Sequence, residues 1–240
     1  MSAFETILLE KADGVAWITL NRPRVLNVYN VQMRDEFYQV LGMVQEDPEI
    51  LIGVLRGAGD RAFCAGADLT EFGTAPSQAI ARQVRFERDV WMRLLGITKP
   101  LIAAVHGFCL GSGLEIALGC DLRIASPDAR FGLPETGLGM IPAAGGTQTM
   151  PRGVGRSRAM EALLTGRIMD AEEARRIGLI NRVAPHEALF NEAARKAQEL
   201  ASLSANVLRL AKEAVNRGMD CGLPQGLEIE RRLATRLLAS

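Results

Sequence analysis

Residues 106–135 read HGFCLGSGLEIALGCDLRIASPDARFGLPE, and the rest of the chain is arranged around this stretch. Gly107 to Gly113 make a glycine-rich loop, a helix begins near Gly113, and residues 120–125, CDLRIA, form a short strand. Glu115 is the only charged side chain between Lys99 and Asp121. A carboxylate in so apolar a run costs free energy unless it is paired, hydrogen-bonded or protonated. Glu135 follows Pro134 in a second glycine-bearing loop, where a polar group can face a ligand. Two carboxylates twenty residues apart are therefore expected to face one site.

Upstream of this stretch, residues 5–20 are two β-rich runs joined at Ala12-Asp13-Gly14, which predicts a hairpin. Asn21-Arg22-Pro23 ends the second run. Met33, Phe37, Val40, Leu41 and Val44 recur at helical spacing within residues 31–46, and Asp47-Pro48 stops that helix. Residues 50–55 and 100–105 are short, almost uncharged runs, as expected of strands buried on both faces. A largely polar helix is expected over residues 77–96. Downstream of residue 145 the pattern is helical, at 145–152, 156–165, 171–177, 187–202, 204–217 and 223–239, with a short strand near 180–183. This is an α/β chain, read as a core over residues 1–186 and a helical region over 187–240. The last helix carries Leu223, Leu227, Leu233, Leu237 and Leu238, more apolar surface than a solvated tail exposes.

Composition excludes several classes. Lys plus Arg and Asp plus Glu are 28 each, so no global field draws the chain to nucleic acid or an anionic membrane. Four cysteines without a CxxC pair, and only two histidines, argue against zinc and for reduced thiols. No apolar run approaches the ~20 residues that span a bilayer. A cytoplasmic protein that engages neither nucleic acid nor membrane is expected. Gly57, Gly59 and Ala62 fit a dinucleotide-binding glycine pattern after a strand. The helix it requires would run through Phe63-Cys64-Ala65-Gly66, and no acidic residue ends a second strand at the right distance, so the pattern is set aside.

Phe63-Cys64-Ala65-Gly66-Ala67-Asp68-Leu69, Gly111-Ser112-Gly113-Leu114-Glu115 and Pro134-Glu135 together resemble the enoyl-CoA hydratase/isomerase (crotonase) family. Asn21-Arg22-Pro23, residues 99–105, 120–125, Gly145-Gly146-Thr147 and Thr165-Gly166 extend the resemblance, in order, over nearly the whole chain. It implies a crotonase-like spiral of ββα units followed by a C-terminal helical trimerisation region, as a homotrimer or dimer of trimers. It also implies an acyl-CoA thioester substrate, with no separate cofactor and no metal. The backbone N–H groups of Ala67 and Ser112 would form an oxyanion hole, and Glu115 and Glu135 would be catalytic. Arg22, Arg24, Ala65, Gly66, Asp68, Leu69 and Gly111 would contact substrate or CoA. Ser112 departs from the glycine common at that position; a backbone donor survives the change. Enolate formation on a thioester calls for this chemistry, since paired N–H donors stabilise developing charge and small residues admit close approach.

Plainer readings stand beside these. Ser112-x-x-Glu115 is also a capping box, and Glu135 also reads as a first-turn glutamate. Cys64, Cys109 and His106 read best as core, and Arg22, Arg24 and Arg61 equally well as surface cations. The expected reaction is hydration of a trans-2-enoyl-CoA. The alternatives are an enoyl-CoA isomerase or a non-catalytic acyl-CoA- or RNA-binding relative.

Overall fold

A computed structural model describes residues 4–74, 77 and 88–238. Strands β1 (Ile7–Ala12) and β2 (Val15–Leu20) pair antiparallel from Ile7↔Leu20 to Ala12↔Val15. Asp13 and Gly14 both take positive φ, 51° and 77°, as the tight turn between them demands. Helix α1 (Val31–Glu46) is capped by Asn30, whose side chain accepts from Met33 N, and it buries Met33, Phe37, Val40, Leu41 and Val44.

From here the chain repeats one unit. A longer strand enters a large sheet, a three-residue strand enters a small one, and a helix leads to the next turn. β3 (Ile52–Gly57) is followed by β4 (Ala62–Cys64). Helix α2 (Val90–Leu95) leads to β5 (Leu101–Val105) and β6 (Phe108–Leu110). Helix α3 (Ser112–Leu118) leads to β7 (Leu122–Ala125) and β8 (Arg130–Gly132). With β9 (Met169–Asp170) and β10 (Arg182–Val183), the large sheet runs β1-β2-β3-β5-β7-β10 and the small one β4-β6-β8-β9. β2-β3-β5-β7-β10 and β4-β6-β8 are parallel. Successive turns thus stack as the spiral expected from the resemblance.

The remaining helices are α4 (Gly146–Val154), α5 (Arg156–Thr165), α6 (Ala171–Arg176), α7 (Leu189–Ala201), α8 (Ala205–Met219) and α9 (Leu223–Leu238). Alternate residues of the large sheet feed two cores. Leu101, Ala103 and Val105 pack with Phe37, Phe63 and Phe131, whereas Ile52, Val54, Ile102, Ala104 and Ile124 pack against Leu189, Ala193 and Ala197 of α7. Burial on both faces explains why these strands show apolar runs without alternation. Each such branched side chain contributes about 1.5–3 kcal/mol. Helices α8 and α9 form a hairpin that leaves Val215, Met219, Leu223 and Leu227 exposed. No helix among the described residues is long and apolar enough to cross a membrane.

Some expectations need correcting. Residues 107–113 are not all loop, because 108–110 form β6. Of the helix expected over 77–96, α2 is present, and residues 78–87 lie outside those described. Strands β8 and β9 have three and two residues, too short to show a period in sequence. The glycine pattern at Gly57 has a packing reason instead of a nucleotide. A Cβ on Gly57 would lie 2.4 Å from Ala62 O, and Phe63-Cys64 is strand.

Gly113 marks a tight junction behind the site, since a Cβ there would lie 2.1 Å from Cys64 O. Gly113→Ala should cost about 1–3 kcal/mol by forcing α3 off β4. That corresponds to a fall of roughly 3–10 °C in Tm by thermal melting. An unchanged Tm would show that α3 and β4 are free to separate.

Candidate active site

Strands β4, β6 and β8 lie side by side and run in the same direction, with Cys64 opposite Cys109 and Leu110 opposite Gly132. Their C-terminal ends therefore emerge together, about 5 Å apart from strand to strand. The three loops that follow carry Ala67, Ser112 and Glu135. Sequence separations of dozens of residues collapse here because the spiral returns to the same edge once per turn.

In the first loop Tyr29 bridges the backbone on either side of Ala67. Tyr29 N donates to Gly66 O at 2.8 Å, and Asp68 N donates to Tyr29 O at 2.9 Å. A parallel bridge of this kind uses the neighbours' groups and turns the N–H of Ala67 to the opposite side. In the second loop Gly111 N donates to Gly132 O at 2.9 Å, and α3 begins at Ser112. The first N–H groups of a helix have no intrahelical acceptor. Among the described residues neither Ala67 N–H nor Ser112 N–H has an acceptor. Both residues line one cavity of about 850 Å³.

Glu115 and Glu135 line the same cavity. Glu115 is 4% exposed, and its Oε1 accepts from Ala144 N at 2.9 Å and Gly146 N at 2.8 Å. Gly146 opens α4, so the carboxylate sits where backbone donors and the helix dipole favour an anion. The capping-box reading fails on this geometry. The N-cap of α3 is Gly111, no side chain caps it, and Glu115 serves α4 instead of its own helix. Glu135 lies in a 3-10 turn, Pro134–Leu138, directly after β8. Its Oε2 is buried without a hydrogen-bond partner, and burial raises its pKa above the ordinary carboxylate value. Its Oε1 lies 3.0 Å from where a Cβ on Gly111 would be, and Gly111 has φ +50°, so glycine there both permits the turn and leaves room for the carboxyl.

Other expected contacts divide. Ala65, Gly66, Asp68, Leu69 and Gly111 line the cavity. Arg22 and Arg24 do not: Arg22 turns inward to Asp68 and Val28, and Arg24 is exposed. Phe72 and Trp91 line it, as do Val31, Leu138 and Ile141, giving its outer part an apolar wall. Phe86, which with Phe72 and Trp91 reads in sequence as either pocket lining or a helix anchor, lies outside the described residues. Cys64 and Cys109 are buried, and desolvation pushes Cys64 up to about 12 and Cys109 well above its ordinary value, so both are inert core thiols. His106 is 2% exposed, packed edge-on against Phe190 and His186, and burial lowers its pKa. Among the described residues no group of three or more His, Cys, Asp or Glu is placed to hold a metal.

Sequence reasoning missed the backbone amides of Ala144 and Gly146, which carry no side-chain signature beyond small residues. It also missed Asn27, which is fully buried. Asn27 Oδ1 accepts from Arg22 N, while its Nδ2 donates to Ala58 O and Ala62 O.

The enoyl-CoA hydratase/isomerase family model matches residues 10–240. The short-chain-enoyl-CoA hydratase of Clostridium acetobutylicum is 42% identical over 224 residues, covering 93% of this chain and 86% of that protein. The crotonyl-CoA hydratase of Syntrophomonas wolfei is 38% identical over 228 residues, covering 95% of this chain and 88% of its own. The crystal structure of enoyl-CoA hydratase from Bacillus anthracis superposes with a TM-score of 0.93 at 37% identity, over 98% of this chain and 92% of that one. Fold, loop order and sequence agree, and the chain belongs to the enoyl-CoA hydratase/isomerase family.

Proposed function

We propose that this protein is an enoyl-CoA hydratase, adding water reversibly across the C2=C3 bond of a trans-2-enoyl-CoA to give a 3-hydroxyacyl-CoA. One observation carries the reading: two unpaired backbone N–H groups, Ala67 and Ser112, and two carboxyl groups, Glu115 and Glu135, line one cavity. The thioester oxygen sits between the two N–H groups, which stabilise the enolate as charge develops. Each donor is worth about 3–4 kcal/mol in the transition state. A water held between the carboxyl groups adds its oxygen to C3 and loses a proton to the pair, while Glu135 delivers a proton to C2 on the same face. Burial favours the protonated form of Glu135, which suits a group that gives up a proton only to the reacting carbon. Glu115, pinned by Ala144 N and Gly146 N, orients the water. The relatives named for short-chain and crotonyl substrates support crotonyl-CoA as the first to assay.

This chemistry needs no metal or redox cofactor. The exposed Val215, Met219, Leu223 and Leu227 on α8 and α9 support assembly as a homotrimer or dimer of trimers. We place the enzyme in the cytoplasm, in fatty acyl-CoA metabolism. An isomerase, which shifts a double bond, is the second reading because the family includes both activities. It manages with one carboxylate, so the pair favours hydration; 3-enoyl-CoA converted to 2-enoyl-CoA without hydration would reverse that preference.

Glu135→Gln and Glu115→Gln should each lower kcat for crotonyl-CoA hydration by about 10²- to 10⁴-fold in folded protein, followed by loss of enoyl absorbance. Wild-type turnover in either would contradict the assignment. Stability gives an independent check on Glu135. Its folded pKa is raised, so its favourable contribution is full below the unfolded value near ~4.3 and is lost as pH rises through the folded one. Glu135→Gln should therefore melt above wild type at pH 8 and close to it at pH 4. The opposite order in paired melting curves would contradict the desolvated carboxyl.

A further inference from the structure

Arg22 reads in sequence as a CoA contact or equally as a surface cation, but its guanidinium faces the protein. Its side chain is 22% exposed, and Nη1 donates to Val28 O at 2.8 Å and to Asp68 Oδ2 at 3.0 Å. Val28 and Asp68 adjoin the two sides of the same backbone bridge. Tyr29 follows Val28, and Ala67 precedes Asp68. The other oxygen of Asp68 accepts from Thr70 N at 3.2 Å and Thr70 Oγ1 at 2.6 Å, so the aspartate is held on both sides. These contacts keep its pKa below the usual carboxylate range. Behind Arg22, its own N–H donates to Asn27 Oδ1 at 2.8 Å, and Ala65 N donates to Leu26 O at 3.0 Å. Leu26 and Asn27 both sit in the left-handed region, with φ of 57° and 55°. A segment bent against its preference stays bent only when its surroundings over-determine it.

We propose that Arg22 is a positioning residue for hydration: by tying Val28 to Asp68 it closes the bridge that aims the N–H of Ala67 at the thioester oxygen. The inference rests on the hydratase reading and assigns Arg22 no part in holding CoA. Angular and sub-ångström errors at such a donor are expensive, since misplacement by 1 Å can cost about 10²-fold in rate. The pair is also well suited to the task. Two acceptors, Val28 O and Asp68 Oδ2, converge on one donor nitrogen, so loss of that donor loosens both strands of the bridge together.

The test compares Arg22→Met, Asp68→Asn, the double variant and Arg22→Lys with wild type. Each single substitution should cut kcat for crotonyl-CoA by about 10- to 100-fold. The double variant should be no worse than Arg22→Met alone, because that substitution already removes the contact with Asp68. Arg22→Lys, which keeps one cationic donor, should recover part of the loss. The inhibition constant of free CoA should stay at its wild-type value throughout. A bound conjugated dienoyl-CoA, whose absorbance moves to longer wavelength as its carbonyl is polarised, should shift less in the variants than in wild type. Weaker CoA binding with kcat intact in Arg22→Met, and tighter CoA binding in Asp68→Asn, would overturn the proposal and make Arg22 a phosphate ligand. Wild-type kcat and a full spectral shift in folded variants would overturn it as well. Asp68→Asn is isosteric, so it carries the comparison if Arg22→Met fails to fold. A wild-type protein that neither hydrates nor shifts the dienoyl band would overturn the hydratase reading itself, and is recognised before any substitution is made.

Discussion

Backbone N–H groups withdrawn from water almost always find acceptors, yet among the described residues those of Ala67 and Ser112, which line one cavity, have none. Ala67 is left over because Tyr29 bonds to the residues on either side of it; Ser112 is left over because it begins a helix. The spiral brings both to one edge, since β4 and β6 are adjacent parallel strands. Everything else around the site can be understood as maintaining that pair. Gly113 lets α3 press against Cys64 O, Gly111 makes the turn that starts the helix, and Asn27 ties three segments behind the first loop.

The same economy explains why the site is unfavourable for the protein on its own. Glu135 keeps a buried oxygen without a partner, and Leu26 and Asn27 hold left-handed backbone that costs on the order of 1 kcal/mol or more each. Glu115 is the contrasting case. It is as buried as a core residue, yet two backbone amides at the start of α4 satisfy one of its oxygens. The two carboxyl groups thus have different environments: one is locked as an acceptor, the other is desolvated and biased toward its proton. Such a separation of environments is how two like groups take different parts in proton transfer.

Much of the architecture could be read from sequence because its signals are local. The hairpin shows in Asp13-Gly14, α1 in the spacing from Met33 to Val44, and the parallel strands in short uncharged runs at 100–105. Strands β6, β8 and β9 left no such signal, because two or three residues cannot display a period. The carboxylates were visible as anomalies, Glu115 as a charge in an apolar run and Glu135 beside a proline. What could not be read was which backbone groups meet them. Gly146 enters only within the Gly145-Gly146-Thr147 resemblance, with nothing to mark its N–H as a partner of Glu115. Arg22 reads as a CoA contact or equally as a surface cation, whereas its guanidinium lies on Val28 and Asp68. Side-chain identity carries no record of where a main-chain N–H points.

Isotope-edited infrared spectroscopy of carbonyl-labelled butyryl-CoA, a saturated thioester that cannot be hydrated, tests the proposed oxyanion hole most directly. If Ala67 N–H and Ser112 N–H converge on the thioester oxygen, the labelled carbonyl stretch of the bound ligand will lie below its frequency in water. A bound carbonyl that vibrates at or above the aqueous frequency would show that the two unpaired donors do not act on the substrate.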